Sequence, residues 1–207
     1  MTSHSSAVQT FVKNLSSKAQ QSKYLNLMSL GLEDCSNQSG TQKVLVGNPP
    51  ELPDVVVKVA KHSDVCVLFL YAVYTGVIES KHYPVVYSFT KIKEFYVICM
   101  ERCTGKPKTI SFIECISHLS EITDQEHGLD ASLFSALCQI RDLMDHLLVD
   151  SGYECLWDLH LANYLPRSLE DDTIVVFDPI WDRRTVPTDI DVIDTFWDEE
   201  FTKTKKP

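Results

Sequence analysis

The sequence predicts an α+β protein of two lobes, a small sheet-bearing one followed by a mainly helical one. Three observations predict it. Short β-rich runs crowd the first half, helical periodicity takes over after "CTGKP", and a single stretch with helical caps is inserted among the strands. The composition, 44% hydrophobic, 23% charged and 10% aromatic over 207 residues, is that of a folded chain with a real core.

Residues 1–30 read as an N-terminal helical extension, because Val8, Phe11, Val12 and Leu15 repeat at i, i+3, i+4 and i+7. Residues 31–103 read as the first lobe. "DCSNQSGTQ" at 34–42 is small and polar, hence a turn or loop. The runs "KVLV" at 43–46, "VVVKVA" at 55–60, "PVVYSF" at 84–89 and "EFYVICM" at 94–100 are dense in Val, Tyr and Phe and are expected as strands. Between the second and third lies "SDVCVLFLYAVYTG", with Ser63 or Asp64 to cap a helix and Gly76 to end it. Residues 104–207 form the second lobe. Helices are expected over 109–122 and 130–150, the latter with Leu133, Leu137, Ile140, Leu143, Met144, Leu147 and Leu148 on one face. The last thirty residues are acidic and end in "KTKKP".

Charge and cysteine usage narrow the classes. Lys plus Arg is 19 and Asp plus Glu is 29, a net charge of −10, so no basic field attracts a polyanion and no direct nucleic acid binding is expected. No apolar run is long enough to cross a bilayer and the N-terminus carries no apolar signal core, so a cytoplasmic protein with no membrane contact is expected. The seven cysteines include no C-x-x-C pair and read as reduced core thiols rather than a zinc site.

The chemistry concentrates in "ECLWDLHLANYL" and "TIVVFDP". Asp158, His160, Asn163 and Asp178 sit among Leu, Trp, Val and Phe, where polar groups are costly unless paired or bound to a cation. Asp158 and Asn163 form D-x-x-x-x-N, and Asp178 follows a strand-like run. Phosphoryl transfer uses such a set: a carboxylate to orient the accepting hydroxyl, and an amide oxygen with a second carboxylate to hold Mg²⁺. Upstream, Lys58 stands alone in "VVVKVA". It is either a lysine whose stem lies on the sheet while its ammonium reaches water, or one that binds nucleotide phosphates.

The order of these parts resembles the protein kinases, and most closely the compact serine/threonine kinases made early in infection by short-tailed lytic bacteriophages. The likeness runs from about residue 30 to 182. It is carried by "DVVVKVAK", "YPVVYSF…FYVICMERC" and "WDLHLANYL…VVFDPI". It implies a two-lobed kinase-like fold with a truncated helical lobe, use of ATP and Mg²⁺, and host proteins as substrates. By that resemblance Lys58 holds the α/β-phosphates, Asp158 is the catalytic base, and Asn163 and Asp178 bind Mg²⁺. Glu101 and Cys103 fall where a hinge backbone meets adenine, and His160 shapes the loop. The family pattern is departed from in three places. No G-x-G-x-x-G is present, so only the amides of Ser39 and Gly40 are candidates to close over a phosphate, with Gly47 next. The inserted helix has no Glu for Lys58, and 29 residues follow Asp178. Two other readings share the motif: an inactive kinase-fold protein that inhibits a host factor through its acidic C-terminal segment, and a phosphotransferase of the aminoglycoside type.

Overall fold

The computed structural model describes residues 3–21, 30–34, 44–61, 65–92, 95–108, 110, 130–151, 155–159 and 163–182. They form an α+β protein. In chain order the elements are α1 (Ser3–Gln21), β1 (Glu33–Asp34), β2 (Val44–Asn48), β3 (Val55–Lys61), α2 (Cys66–Thr75), β4 (Val86–Ile92) and β5 (Phe95–Glu101). They continue with α3 (Ala131–Ser151), β6 (Cys155–Trp157), β7 (Tyr164–Pro166), β8 (Ile174–Val176) and β9 (Ile180–Asp182).

The first five strands make one antiparallel sheet in the order β1-β2-β3-β5-β4. Its centre is β3, seven residues with five Val or Ala, which suits a strand covered on both faces. Val55, Val57 and Val59 point to one face with Val97 and Cys99, where α1 lays Val8, Phe11 and Leu15. Val56 and Ala60 point to the other with Tyr96, Ile98 and Met100. Lys58 belongs to this second face by the two-residue period of the strand.

Over the second face packs α2. Its sequence "CVLFLYAVYT" is apolar all round, as a helix buried on most sides must be, and Cys66, Val67, Leu68, Phe69 and Leu70 are each 0% exposed. Full burial of a Leu or Phe side chain stabilises by roughly 1.5–3 kcal/mol. Gly76 closes the helix in a left-handed conformation (φ +73°), donating its N–H to the carbonyls of Ala72 and Val73. Helix α3 adds Leu133, Ala136, Leu137, Ile140, Leu143, Met144 and Leu147 to the same core. Tyr164, Ile174, Val176 and Ile180 from the short ribbons complete it. The core therefore runs without interruption from the sheet, past the 101–108 connector, to the segments around Asp158 and Asp178.

Against expectation, β1 pairs 33–34 with Gly47 and Asn48, taking the start of the polar run into the sheet. The segment after residue 103 also contains more strand than its sequence suggests. Two ribbons, β6–β9 and β7–β8, are built from three-residue strands too short to show a period. Ser63 and Asp64, the expected caps of α2, lie outside the described residues, as do nearly all of 109–122 and the acidic tail from 183. No helix among the described residues is long and apolar enough to cross a membrane.

Candidate active site

Lys58 sits mid-strand, opposite Val46 on β2 and Ile98 on β5, and is 3% exposed. A buried ammonium requires a partner, and its Nζ donates to Asp178 Oδ2 at 2.8 Å across 120 residues of sequence. The ammonium does not climb to water along the sheet. It is turned into the protein, and the carboxylate it meets keeps 30% of its side chain exposed.

The two ribbons explain how Asp178 arrives there. The chain leaves β8, passes through Phe177, Asp178 and Pro179, and enters β9 on the other ribbon. It makes the reverse crossing between β6 and β7. The crossings lie side by side: Asp158 donates its N–H to the Pro179 carbonyl (2.8 Å), and Phe177 donates its N–H to the Asn163 carbonyl (3.0 Å). Asn163, 7% exposed, donates Nδ2 to the Asp158 carbonyl at 2.7 Å, which orients the amide with its oxygen as the acceptor end. From above, the Cys66 thiol of α2 donates to the Phe177 carbonyl at 3.5 Å. Lys58, Asp158, Asn163 and Asp178 are thus tied into one region, by one ion pair and three hydrogen bonds through backbone. His160 lies outside the described residues.

The remaining sequence candidates fare differently. Ser39 and Gly40 lie outside the described residues. Gly47 is a sheet residue, paired with Asp34 and Val57. Glu101 turns its carboxylate to Arg167, whose Nη2 lies 3.0 Å from Oε1 and Nε 3.1 Å from Oε2, and accepts the Val85 N–H at 3.0 Å. Cys103 is half-buried, and burial, with the Glu101 charge second, pushes its thiol up to about 12. Cys99 rises to about 11 by burial. Both stay protonated near neutrality, and Cys66, Cys99, Cys103, Cys138 and Cys155 are all free thiols. The connector itself is stitched to β7: Thr104 and Gly105 donate their N–H groups to the carbonyls of Arg167 and Pro166. A Cβ on Gly105 would come within 2.4 Å of Pro166 Cβ, so only glycine lets the two backbones approach this closely.

Two residues of this assembly are absent from the sequence reading. Arg167 also donates Nη2 to the carbonyls of Lys81 (3.0 Å) and Tyr83 (3.2 Å), and His82 lies buried against β8. No motif announces either one. The only signal for His82 is an ionisable residue just before an apolar strand.

As a metal site the region is lean. Among the described residues no group of three or more His, Cys, Asp or Glu is arranged to hold an ion. One carboxylate and one oriented amide suit Mg²⁺ carried in on phosphates, since that ion keeps much of its shell as water and phosphate oxygen. Asn163 and Asp178 fit that use and would not make an all-protein cage.

A scan against models of protein families finds no match to this chain, and no curated protein matches it.

Proposed function

We propose that the chain is an ATP- and Mg²⁺-dependent serine/threonine protein kinase of the compact phage type, acting on host proteins in the host cytoplasm. The observation that carries the reading is the 2.8 Å contact between Lys58 Nζ and Asp178 Oδ2, which joins the cation of β3 to the carboxylate between β8 and β9. The ties among Asp158, Asn163 and the Phe177–Pro179 crossing support it.

In this reading Lys58 would bring its ammonium to the phosphate oxygens, and Asp178 with Asn163 would hold the nucleotide's cation. Held there, Mg²⁺ would neutralise phosphate charge. Asn163 holds the loop by its bond to the Asp158 carbonyl and presents its amide oxygen. The Asp158 carboxylate accepts a hydrogen bond from a serine or threonine hydroxyl and takes its proton. The hydroxyl oxygen bonds to the γ-phosphorus as the bridge to the β-phosphate breaks, and ADP leaves with the bridging electrons.

The test is transfer of labelled γ-phosphate to proteins of a host extract. Asp158→Asn is expected to lower the rate by about 10²–10⁴-fold, the usual worth of a positioned base. MgATP at ~100 times its dissociation constant should add ~2.7 kcal/mol of stability. One observation favours a second reading: Asp178 engages the Lys58 ammonium at 2.8 Å, a contact that a phosphate would have to displace. An inactive kinase-fold protein would inhibit a host factor through its acidic segment 183–207. It would show no transfer and no MgATP stabilisation, and deleting 183–207 would release its partner.

A further inference from the structure

We infer that His82 is a positioning residue for Asp178, holding β8 from the edge opposite β7. In the β7–β8 ribbon the odd-numbered backbone groups face β7, as the bonds from Arg167 N–H to the Thr173 carbonyl and from Phe177 N–H to the Asn163 carbonyl show. The even-numbered groups face the other way, and His82 takes two of them. Its carbonyl accepts the Val176 N–H at 2.8 Å, and its Nδ1 lies 2.7 Å from the Ile174 carbonyl. A carbonyl only accepts, so Nδ1 carries the proton of that bond. One residue thus serves as a third strand, ending two positions before Asp178.

The histidine is itself held firmly. Its side chain is 5% exposed, and Nε2 lies 2.8 Å from Ser132 Oγ and 3.7 Å from Asp130 Oδ1. Asp130 caps α3, accepting the N–H groups of Ser132 (2.9 Å) and Leu133 (3.2 Å), and it also takes the Ser132 hydroxyl. On either side of His82, the carbonyls of Lys81 and Tyr83 accept from Arg167, and the Tyr83 hydroxyl donates to the Ala136 carbonyl at 2.6 Å. The tripeptide 81–83 is therefore fastened to β7, β8 and α3 together, and its ring bond to Ile174 carries that rigidity toward Asp178. Groups that orient a metal carboxylate typically change metal affinity about 10–100-fold when removed.

The inference rests on the reading of Asp178 as the carboxylate for the nucleotide's cation, and the test separates the two. His82→Asn keeps an N–H near the Nδ1 position, whereas the longer amide of His82→Gln reaches the Nε2 position and abandons Ile174. Hydrogen exchange of 176–178 is measured without ligand, and ATP binding is measured with and without Mg²⁺, on variants shown to fold by their urea transitions. His82→Gln is expected to speed exchange at 176–178 and lose the Mg²⁺-dependent gain in ATP affinity, each by about tenfold, as for one lost hydrogen bond. His82→Asn and Ser132→Ala should keep both within about threefold. Equal losses in His82→Gln and His82→Asn, or none in His82→Gln, overturn the inference. If His82→Gln does not fold, a folded His82→Asn that loses protection at 176–178 overturns it. If the wild-type chain binds no ATP, the kinase reading falls and the exchange pattern alone decides the role of His82.

Discussion

Among the described residues, two ion pairs join the sheet to the downstream half of the chain, and they are built differently. Arg167 meets Glu101 with Nε and Nη2 and sends Nη2 on to the carbonyls of Lys81 and Tyr83. Every one of these acceptors belongs to fixed parts of the fold, and the carboxylate is the more buried side, 13% against 26% for the arginine. Lys58 and Asp178 reverse that order. The ammonium is 4% exposed, the carboxylate 30%, and the ammonium meets the carboxylate through one oxygen. A guanidinium fork on several acceptors is a fastening, whereas a compact ammonium facing a half-open carboxylate is a pair that can trade partners. The difference separates a pair that holds the halves together from a pair open to exchange.

The largest effect should come from breaking the exchangeable pair on its exposed side. Asp178→Ala leaves a buried ammonium without this carboxylate and is expected to cost about 3–5 kcal/mol in urea unfolding. Lys58→Met keeps the stem's packing and leaves the carboxylate at the solvent edge, so it should cost about 1 kcal/mol. Equal costs would show that the two sides of the pair are not as unequal as their burial.

Next is the fastening. Arg167→Lys keeps the charge and loses the fork, and a loss of about 1–3 kcal/mol is expected because Glu101 and two carbonyls give up donors. A neutral result would demote this pair to an ordinary surface contact.

The smallest effect belongs to the cap that supports both. Hydrogen bonds from the Ser132 side chain, then from the Leu133 N–H, lower the Asp130 carboxyl from its ordinary 3.8 to about 2. A depressed carboxyl stabilises fully above its unfolded value and loses that contribution as pH falls through its folded one. The urea midpoint of the wild type should therefore drop between about pH 4 and pH 2. Asp130→Asn should flatten that limb, and an unchanged slope would remove Asp130 from the account.

The elements were legible where a period is long enough to read. The stripe of α1 buries Val8, Phe11 and Leu15 with Val12 half-buried, and the face of α3 buries its leucines from 133 to 147. Strands β2 to β5 fall within two or three residues of the apolar runs that announce them. The three-residue strands β6 to β9 were not legible, because a period of two cannot be read over three residues.

Sequence by itself determined the α+β character, the apolar strand that carries Lys58, and the suspicion attached to Asp158, Asn163 and Asp178. A charge inside an apolar run is conspicuous on one line of text, because its burial needs an explanation. Only the tertiary structure decided which explanation holds. Lys58 is answered by Asp178 across 120 residues, Glu101 by Arg167 across 66, and His82 by a carbonyl on β8 across 92. Such partners share no local pattern, since they are neighbours only after the two ribbons and the sheet have closed on one core.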